Sequence, residues 1–242
     1  MSTSDRIYAQ QLSKVSEFVF DDKVANVFQD MVSRSVPGYA TTISTIAELA
    51  AQLLTDGDKA YDLGCSLGAA TFAMRHAVSD RNCKIIAVDT SEAMVSRART
   101  ALETDAAKAQ VEFIHADICD IDISNASLVV LNFTLQFVPL EQRDGLLTKI
   151  CNGMKPGGVL VLSEKVNLSS DALNDINITL HHNFKRTHGY SDLEISQKRG
   201  ALENSLIPET IEQHTKRLAT AGFTAFDVWY QCFNFMSLMA VK

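Results

Sequence analysis

Residues 61–71 carry the pattern that most limits how this chain can fold. An acidic residue, a glycine, a small residue and a second glycine occupy alternate positions there: Asp62, Gly64, Ser66 and Gly68. The pattern follows the first strand-like apolar run and opens a helix-like segment. Glycines at such a junction let the chain turn sharply and let a ligand reach bare backbone beside a helix N-terminus. The pattern therefore predicts a strand–turn–helix unit that binds a nucleotide-like molecule.

The same residues allow two other interpretations. Residues 64–68 also fit G-x-S-x-G, the nucleophile elbow of serine hydrolases, and a glycine-rich turn can exist without any ligand. The elbow normally follows several strands of a sheet, and its acid and histidine come later in the chain. Here the motif follows the first strand, which disfavours a hydrolase.

Strand-like and helix-like segments alternate after residue 58, which predicts a parallel sheet covered by helices on both faces. The predicted strands span residues 59–63, 83–88, 111–115, 128–132 and 159–163. The predicted helices between them span residues 69–78 and 92–103, and a third would start at Pro139.

The segments outside this alternation predict the rest of the architecture. Helices are expected at 18–34 and 41–54, within an N-terminal region of residues 1–57. Residues 166–217 are too long for a simple crossover and predict inserted helices. Two apolar runs, 223–231 and 233–241, predict a closing antiparallel hairpin. Because no linker is evident, we expect residues 1–242 to form a single α/β domain with a mostly parallel seven-stranded sheet.

Composition is that of an ordinary globular protein, with 46% hydrophobic and 21% charged residues. No apolar run approaches the roughly 20 residues that span a bilayer, and residues 1–11 lack a signal-peptide core. The five cysteines are widely spaced and form no C-x-x-C pair. We therefore expect a reduced, cytoplasmic protein without a membrane span.

The charge balance disfavours direct, stable binding to nucleic acid. The chain has 22 basic and 29 acidic side chains, a net charge of −7. A protein that grips RNA usually presents a basic stripe. The only basic clusters here are Lys185-Arg186, with His188 nearby, and Lys198-Arg199.

Polar residues stand at or just after the ends of four successive predicted strands, at the edge where open parallel sheets bind ligands. They are Asp62, Asp89-Thr90, Asp117-Ile118 and Asn132. A carboxylate at Asp89 could accept from ribose hydroxyls, and one at Asp117 from an adenine amino group, with Ile118 covering the ring. Each residue alone could instead cap a turn or helix. Together they predict a nucleoside cofactor, but neither the nicotinamide fingerprint nor a P-loop lysine is present.

These motifs resemble those of class I S-adenosylmethionine-dependent methyltransferases, which have a Rossmann-like fold. The resemblance rests on Asp-x-Gly-x-Ser-x-Gly, the acid after the second strand, Ala-Asp after the third, and the turn Lys-Pro-Gly-Gly at 155–158. Ser66 departs from the glycine that is usual there. A sulfonium nucleoside has no pyrophosphate to accommodate, so a small serine is physically tolerable.

A closer resemblance, almost end to end, is to the bacterial carboxy-S-adenosyl-L-methionine synthases. It is carried by segments 34–39, 61–71, 131–137, 193–199 and 231–235. The resemblance implies that S-adenosylmethionine and prephenate give carboxy-S-adenosylmethionine and phenylpyruvate. It further implies a homodimer whose product serves 5-oxyacetyl uridine formation at the tRNA wobble position, through a separate carboxymethyltransferase.

The resemblance also implies the residues of the site. The cofactor would be lined by Tyr39, Gly64, Cys65, Ser66, Asp89, Thr90, Asp117, Ile118 and Asn132. Arg199 would hold the added carboxylate, because a guanidinium matches a carboxylate in bidentate geometry. Without the motif, Arg199 would be interpreted as a solvated charge beside Lys198. No nucleophile, metal cluster or catalytic dyad is evident.

Several points stay open at the level of sequence. The proton acceptor, the prephenate-binding residues and the subunit that supplies Arg199 are not identified. One rival interpretation is a conventional methyltransferase acting on a small acid or tRNA. Another is a non-catalytic dimeric scaffold that binds S-adenosylmethionine.

Overall fold

A computed structural model describes residues 4–242 of the chain. Its helices are α1 (Asp22–Ser35), α2 (Tyr39–Leu53), α3 (Ala69–Ala77), α4 (Glu92–Thr104), α5 (Leu140–Gly153), α6 (Asp171–Thr187), α7 (Asp192–Leu202) and α8 (Ile211–Ala221). Its strands are β1 (Lys59–Leu63), β2 (Lys84–Asp89), β3 (Gln110–His115), β4 (Ala126–Asn132), β5 (Met154–Asn167), β6 (Glu209–Thr210), β7 (Ala225–Cys232) and β8 (Phe235–Val241). A short 3₁₀ helix spans Leu135–Phe137.

The strands form one sheet in the order β3-β2-β1-β4-β5-β8-β7. The first five are parallel, whereas β8 is antiparallel to both β5 and β7. The two-residue β6 pairs with the end of β5. This arrangement confirms the predicted α/β class, the mostly parallel sheet and the C-terminal antiparallel hairpin. The chain reverses its direction of winding between β1 and β4, which is where such sheets bind ligands.

Two hydrophobic cores cover the two faces of the sheet, and β4 contributes to both. Val129 and Leu131 belong to the core that α5 and α8 cover. Leu128 and Val130 belong to the opposite core, which α2 and α3 cover. Successive side chains of a strand point to opposite faces, so an unbroken run of buried apolar residues is what a central parallel strand requires.

The helix α1 begins later than predicted. Asp21 accepts a hydrogen bond from the N–H of Val24 at 3.0 Å and caps the helix there. Residues 18–20, predicted as helix, therefore lie outside it. Phe18 packs in a small core with Tyr8, Met31 and residues of α4 and α7 instead.

The N-terminal segment is attached to α7 by hydrogen bonds. The side-chain amide of Gln197 donates to the carbonyls of Tyr8 at 2.9 Å and Gln10 at 2.8 Å. Its oxygen accepts from the N–H of Leu12 at 2.7 Å. Farther along, the N–H of Phe18 donates to the carbonyl of Ala201 at 3.0 Å. Helix α7 thus holds the segment that precedes α1.

The predicted insertion at 166–217 is shorter in the structure. Strand β5 continues to Asn167, and Leu218 of α8 is fully buried in the core that α5 also covers. Helix α8 is thus an ordinary crossover helix, and α6 and α7 are the inserted ones. The predicted turn at 155–158 lies within the irregular start of β5, where Gly157 has a φ of +76°.

No helix within residues 4–242 has both the length and the apolar character needed to cross a bilayer.

A buried arginine joins the inserted region to the core. The side chain of Arg143, on α5, is fully buried and pairs with Glu209 at 2.6 Å. It also donates to the carbonyl oxygens of Gln136, Val138 and Ile207, at distances of 2.9–3.1 Å. The bonds to Val138 and Gln136 are buried, so Arg143 satisfies backbone carbonyls in the interior.

We expect the substitution Arg143→Ala to lower the free energy of unfolding by about 2–5 kcal/mol, since it leaves a cavity at a fully buried position and removes the side-chain donor to the Val138 carbonyl. Urea denaturation measures this loss. The control is Arg97→Ala, which removes a surface pair with Asp22 at 3.2 Å and should cost about 1 kcal/mol or less. Equal losses for the two variants would contradict the structural role of Arg143.

Candidate functional site

A cavity of about 280 Å³ opens at the carboxyl ends of β1, β2 and β4, at the point where the strand order reverses. Its lining includes nine residues that the sequence singled out. They are Tyr39, Gly64, Cys65, Ser66, Asp89, Thr90, Asp117, Ile118 and Asn132. The structure thus brings these residues together in one site, and their individual roles in binding stay predictions.

The loop after β1 depends on glycine at two positions. Gly64 has a φ of +81°, and a Cβ there would lie 2.3 Å from the side chain of Thr134. Gly68 has a φ of +83° and immediately precedes α3. Between them, Ser66 has a φ of +47°, a left-handed conformation that few non-glycine residues adopt. The glycines therefore allow the tight loop that forms one wall of the cavity.

Asp89 holds that loop in place. One carboxylate oxygen accepts from the N–H of Ser66 at 2.8 Å, and the other accepts from the N–H of Ser91 at 2.8 Å. Burial raises the pKa of Asp89, although these hydrogen bonds oppose the shift. Each carboxylate oxygen has the capacity to accept a further hydrogen bond, and Asp89 lines the cavity. Asp89 is therefore a structural brace of the loop as well as a candidate ligand for ribose.

Asp62 lies behind the loop and also reaches the cavity. Only 1% of the residue is exposed, and its carboxylate accepts from the hydroxyl of Thr71 at 2.6 Å. Burial raises its pKa to about 6, and the charge of Asp89 acts in the same direction. A cation in the cavity would offset the cost of keeping this carboxylate ionised.

Asn132, at the end of β4, presents a buried acceptor to the cavity. Its Oδ1 atom has no hydrogen-bond partner among residues 4–242. A buried polar atom without a partner is costly, and in native structures it often points to a ligand or water. A ligand with an N–H or ammonium group would satisfy it. The residues present therefore fit a cationic nucleoside.

Asp117 and Ile118 follow β3. The carboxylate of Asp117 is exposed and accepts from the N–H of Cys119 at 2.8 Å, so it caps a local turn. Ile118 is buried, with 5% exposure. Asp117 thus caps a turn, as one of its two interpretations predicted. The second oxygen of its carboxylate is available to a ligand.

Aromatic side chains form two parts of the cavity wall. Tyr39 and Phe133 stack with ring centroids 6.4 Å apart, and Phe133 contacts Phe235 edge to face at 6.0 Å. Burial raises the pKa of Tyr39, which keeps its hydroxyl protonated. In a second group of lining residues, Phe20 contacts Phe18 and Phe137 edge to face, with ring centroids 5.1 and 5.3 Å apart.

Arg199 is the one predicted site residue that the structure places outside this lining. It lies on α7 and is exposed to solvent. Arg199 nevertheless acts electrostatically on a residue of the cavity wall. Burial lowers the pKa of Lys165, and the charge of Arg199 lowers it further. The predicted contact between Arg199 and a carboxylate stays a prediction.

The sequence reasoning missed a cationic end of the cavity. Its lining includes Lys165 on β5, His181 and Lys185 on α6, and Lys198 on α7. One sequence feature could have indicated this end of the cavity. The four-residue spacing of His181 and Lys185 places both side chains on one helical face. Within the described part of the chain, no cluster of three or more His, Cys, Asp or Glu residues could hold a metal ion.

Comparison with known proteins assigns this architecture to a family. A family model described as "Methyltransferase domain" matches residues 60–158. Curated proteins named carboxy-S-adenosyl-L-methionine synthase match the full chain. The relative from Shewanella sediminis is 52% identical over 243 residues, an alignment that covers 100% of both chains. The relative from Vibrio cholerae is 51% identical over 242 residues, which covers 100% of this chain and 98% of the relative.

Solved structures show the same fold at much lower identity. A putative O-methyltransferase from Nostoc punctiforme aligns with a TM-score of 0.63 and 17% identity, covering 91% of this chain and 59% of its own. The magnesium protoporphyrin IX methyltransferase of Synechocystis, solved with bound SAH, aligns with a TM-score of 0.61 and 18% identity, covering 88% and 87%. These likenesses establish the class I methyltransferase fold.

The raised pKa of Asp62 generates a prediction about pH. Between its ordinary value of 3.8 and about 6, the folded protein keeps a proton that the unfolded chain has lost. The free energy of unfolding should therefore fall by about 3 kcal/mol as the pH rises through this window. An asparagine side chain does not titrate, so the Asp62→Asn variant should not show this decrease in the free energy of unfolding. Urea denaturation at a series of pH values measures it.

The control for that series is Asp80→Asn, which makes the same chemical change at a carboxylate that is 85% exposed. Its pH profile should follow that of the wild type. Identical profiles for the wild type and Asp62→Asn would show that Asp62 titrates normally in the folded protein.

Proposed function

The chain belongs to the carboxy-S-adenosyl-L-methionine synthase family, and we propose that it makes carboxy-S-adenosyl-L-methionine from S-adenosyl-L-methionine in the cavity described above. The observation that carries this proposal concerns Asn132, which lines the cavity together with Asp62 and Asp89 and whose buried Oδ1 has no hydrogen-bond partner among residues 4–242. A buried acceptor in a cavity that is also lined by two acids suits a ligand that is both a nucleoside and a cation. S-adenosylmethionine carries a sulfonium and an ammonium group.

The residues of the acidic end have distinct proposed tasks. Asp89 accepts from the ribose hydroxyls with its remaining lone pairs while it braces the loop at Ser66. Asp117 accepts from the adenine amino group, and Ile118 covers the ring. Asn132 accepts from the ammonium group. The bound S-adenosylmethionine supplies the methyl carbon to which the carboxyl group is added.

Prephenate is the proposed second reactant. S-adenosylmethionine and prephenate then give carboxy-S-adenosylmethionine, phenylpyruvate and water. The carboxyl group that prephenate releases must be captured before it diffuses away, so the site has to hold both reactants and exclude water. The aromatic contacts of Phe18, Phe20 and Phe137 support this proposal, because they place apolar surface along the cavity.

The rival interpretations have less support. A conventional methyltransferase would share the fold, but the full-length relatives at 51–52% identity carry the synthase name. A non-catalytic scaffold would not need the cationic end of the cavity.

The proposed product serves a separate tRNA-modifying enzyme that forms 5-oxyacetyl uridine at the wobble position. The net charge of −7 supports a protein that does not itself bind RNA stably. We place this activity in the cytoplasm, where S-adenosylmethionine and tRNA meet.

We further propose a homodimer that forms through α6. Leu173, Ile176 and Leu180 lie on one stripe of this helix, and they are 49%, 55% and 42% exposed. A contiguous exposed apolar stripe is characteristic of an interaction surface. The neighbouring helix α7 adds Leu193, which is 39% exposed.

The test of the synthase activity is turnover with labelled prephenate. Wild-type protein is incubated with S-adenosylmethionine and with prephenate that carries ¹³C in the ring carboxylate. Mass spectrometry should detect a product heavier than S-adenosylmethionine by one labelled carbon dioxide, and only when prephenate is present. Accumulation of S-adenosylhomocysteine without that product would instead identify a methyltransferase.

Arg199→Lys tests the proposed carboxylate contact. Lysine keeps the charge but loses the planar fork, so affinity for carboxy-S-adenosylmethionine should fall about 10- to 150-fold while affinity for S-adenosylmethionine changes little. Calorimetric titration of both ligands measures this. The control is Arg186→Lys, at an exposed arginine of α6. Equal losses for both ligands, or none, would remove Arg199 from this role.

Ile176→Glu tests the dimer. A charge in the centre of the apolar stripe should convert the dimer to a monomer in size-exclusion chromatography with light scattering. The control is Leu140→Glu, because Leu140 is 48% exposed on α5, away from the stripe. A wild-type protein that is monomeric at micromolar concentration, or a variant that stays dimeric, would contradict the proposal.

A further inference from the structure

Three lysines from three different elements line one end of the cavity. Lys165 comes from β5, Lys185 from α6 and Lys198 from α7. Lys185 and Lys198 are only 9% and 6% exposed. Burying several like charges together is costly unless opposite charge compensates them. Among residues 4–242, little negative charge compensates these three lysines.

Of the three lysines, Lys198 has an acidic partner. Its ammonium group lies 3.7 Å from a carboxylate oxygen of Asp5 and 3.2 Å from the hydroxyl of Ser35. Within residues 4–242, Lys165 and Lys185 form no ion pair, and the charged groups that act on them are cations. Two ammonium groups are therefore available to an anion in the cavity.

The acids of the cavity lie elsewhere. Asp62 and Asp89 lie at the carboxyl ends of β1 and β2, whereas Lys165 is on β5, two strands beyond β1. Neighbouring strands are about 4.8 Å apart, which separates the lysine end from β1 by about 10 Å. The cavity thus has an acidic end for a cationic nucleoside and a basic end for a different molecule.

Aromatic side chains lie between these two ends. Phe133 directly follows Asn132 and contacts Phe235, which lies opposite Lys165 in the antiparallel pairing of β5 and β8. His181 packs against Phe235 at 4.7 Å, and its Nε2 donates to the carbonyl of Ser35 at 2.8 Å. An apolar ring fits this position, with negative charges toward the lysines.

We propose that Lys165 and Lys185 bind the carboxylates of a small dicarboxylate that carries an apolar ring, and that this is the second reactant of the site. The proposal rests on the proposed function, whose second reactant has this chemistry. Lys198 is already paired with Asp5, so the two carboxylates are assigned to Lys165 and Lys185. The subsite determines specificity, because a reactant without two negative charges would leave a buried ammonium group unpaired.

The direction of the pKa shifts of two of these lysines agrees with this geometry. Burial lowers the pKa of Lys185 to about 7, and the charges of Lys198 and Lys165 act in the same direction. Burial likewise lowers the pKa of Lys198 to about 8, against the opposing effect of Asp5. A bound dianion would relieve this repulsion and restore the charged forms.

The test uses Lys165→Met, Lys185→Met and the double variant, in which methionine removes the charge while keeping most of the side-chain length. Each single change should raise the KM for prephenate about 10- to 100-fold and leave the affinity for S-adenosylmethionine unchanged. Lys216→Met, at an exposed lysine of α8, is the matched control. Thermal unfolding checks the fold, and removal of an unpaired buried charge should not lower Tm.

A binding measurement without turnover separates this inference from the proposed reaction. Prephenate is titrated into wild type and variants in the presence of S-adenosylhomocysteine, which has no methyl group to react. Binding that the two lysines control supports the subsite even if wild-type protein yields no product. Turnover with an unchanged KM in the variants, equal loss of S-adenosylmethionine affinity, or no prephenate binding by wild type would each overturn it.

Discussion

The site depends on a single carboxylate, that of Asp89. It accepts hydrogen bonds from the loop after β1 and from Ser91, the N-cap residue of α4, and so joins the first two βα units of the sheet. The side chain of Ser91 caps α4 and also donates to the carbonyl of Phe20. One carboxylate therefore holds the glycine loop, a helix and part of the N-terminal segment in place.

Much of the fold could be predicted because local signals and tertiary environment agree. The run of buried apolar residues in β4 suits a central strand, and Gly64 suits a left-handed turn. The acidic end of the cavity could be predicted for the same reason, since Asp62, Asp89, Asp117 and Asn132 all lie at or just after the carboxyl ends of strands that meet at one edge. The topology of the sheet brings these residues together.

The basic end could not be predicted, since it depends on how two inserted helices pack. In the sequence, Lys185 stands beside Arg186 and Lys198 beside Arg199, so both pairs resemble solvated surface. Neighbouring helical residues are rotated by about 100°, which lets Lys198 face the cavity while Arg199 faces solvent. Likewise, Phe18 and Phe20 fit a helical pattern, but Asp21 caps α1 after them and leaves them to line the cavity.

The hydrogen bonds of Gln197 have a consequence for the order of folding. They join α7 to Tyr8 and Gln10, which lie 189 and 187 residues away in the chain. Contacts of such sequence separation form slowly, because a long loop must close before they stabilise anything. During synthesis, the segment around Tyr8 and Gln10 leaves the ribosome first, and its hydrogen bonds to Gln197 can form only after α7 emerges. The cavity is thus among the last parts of the molecule to form, after the parallel sheet that supports it.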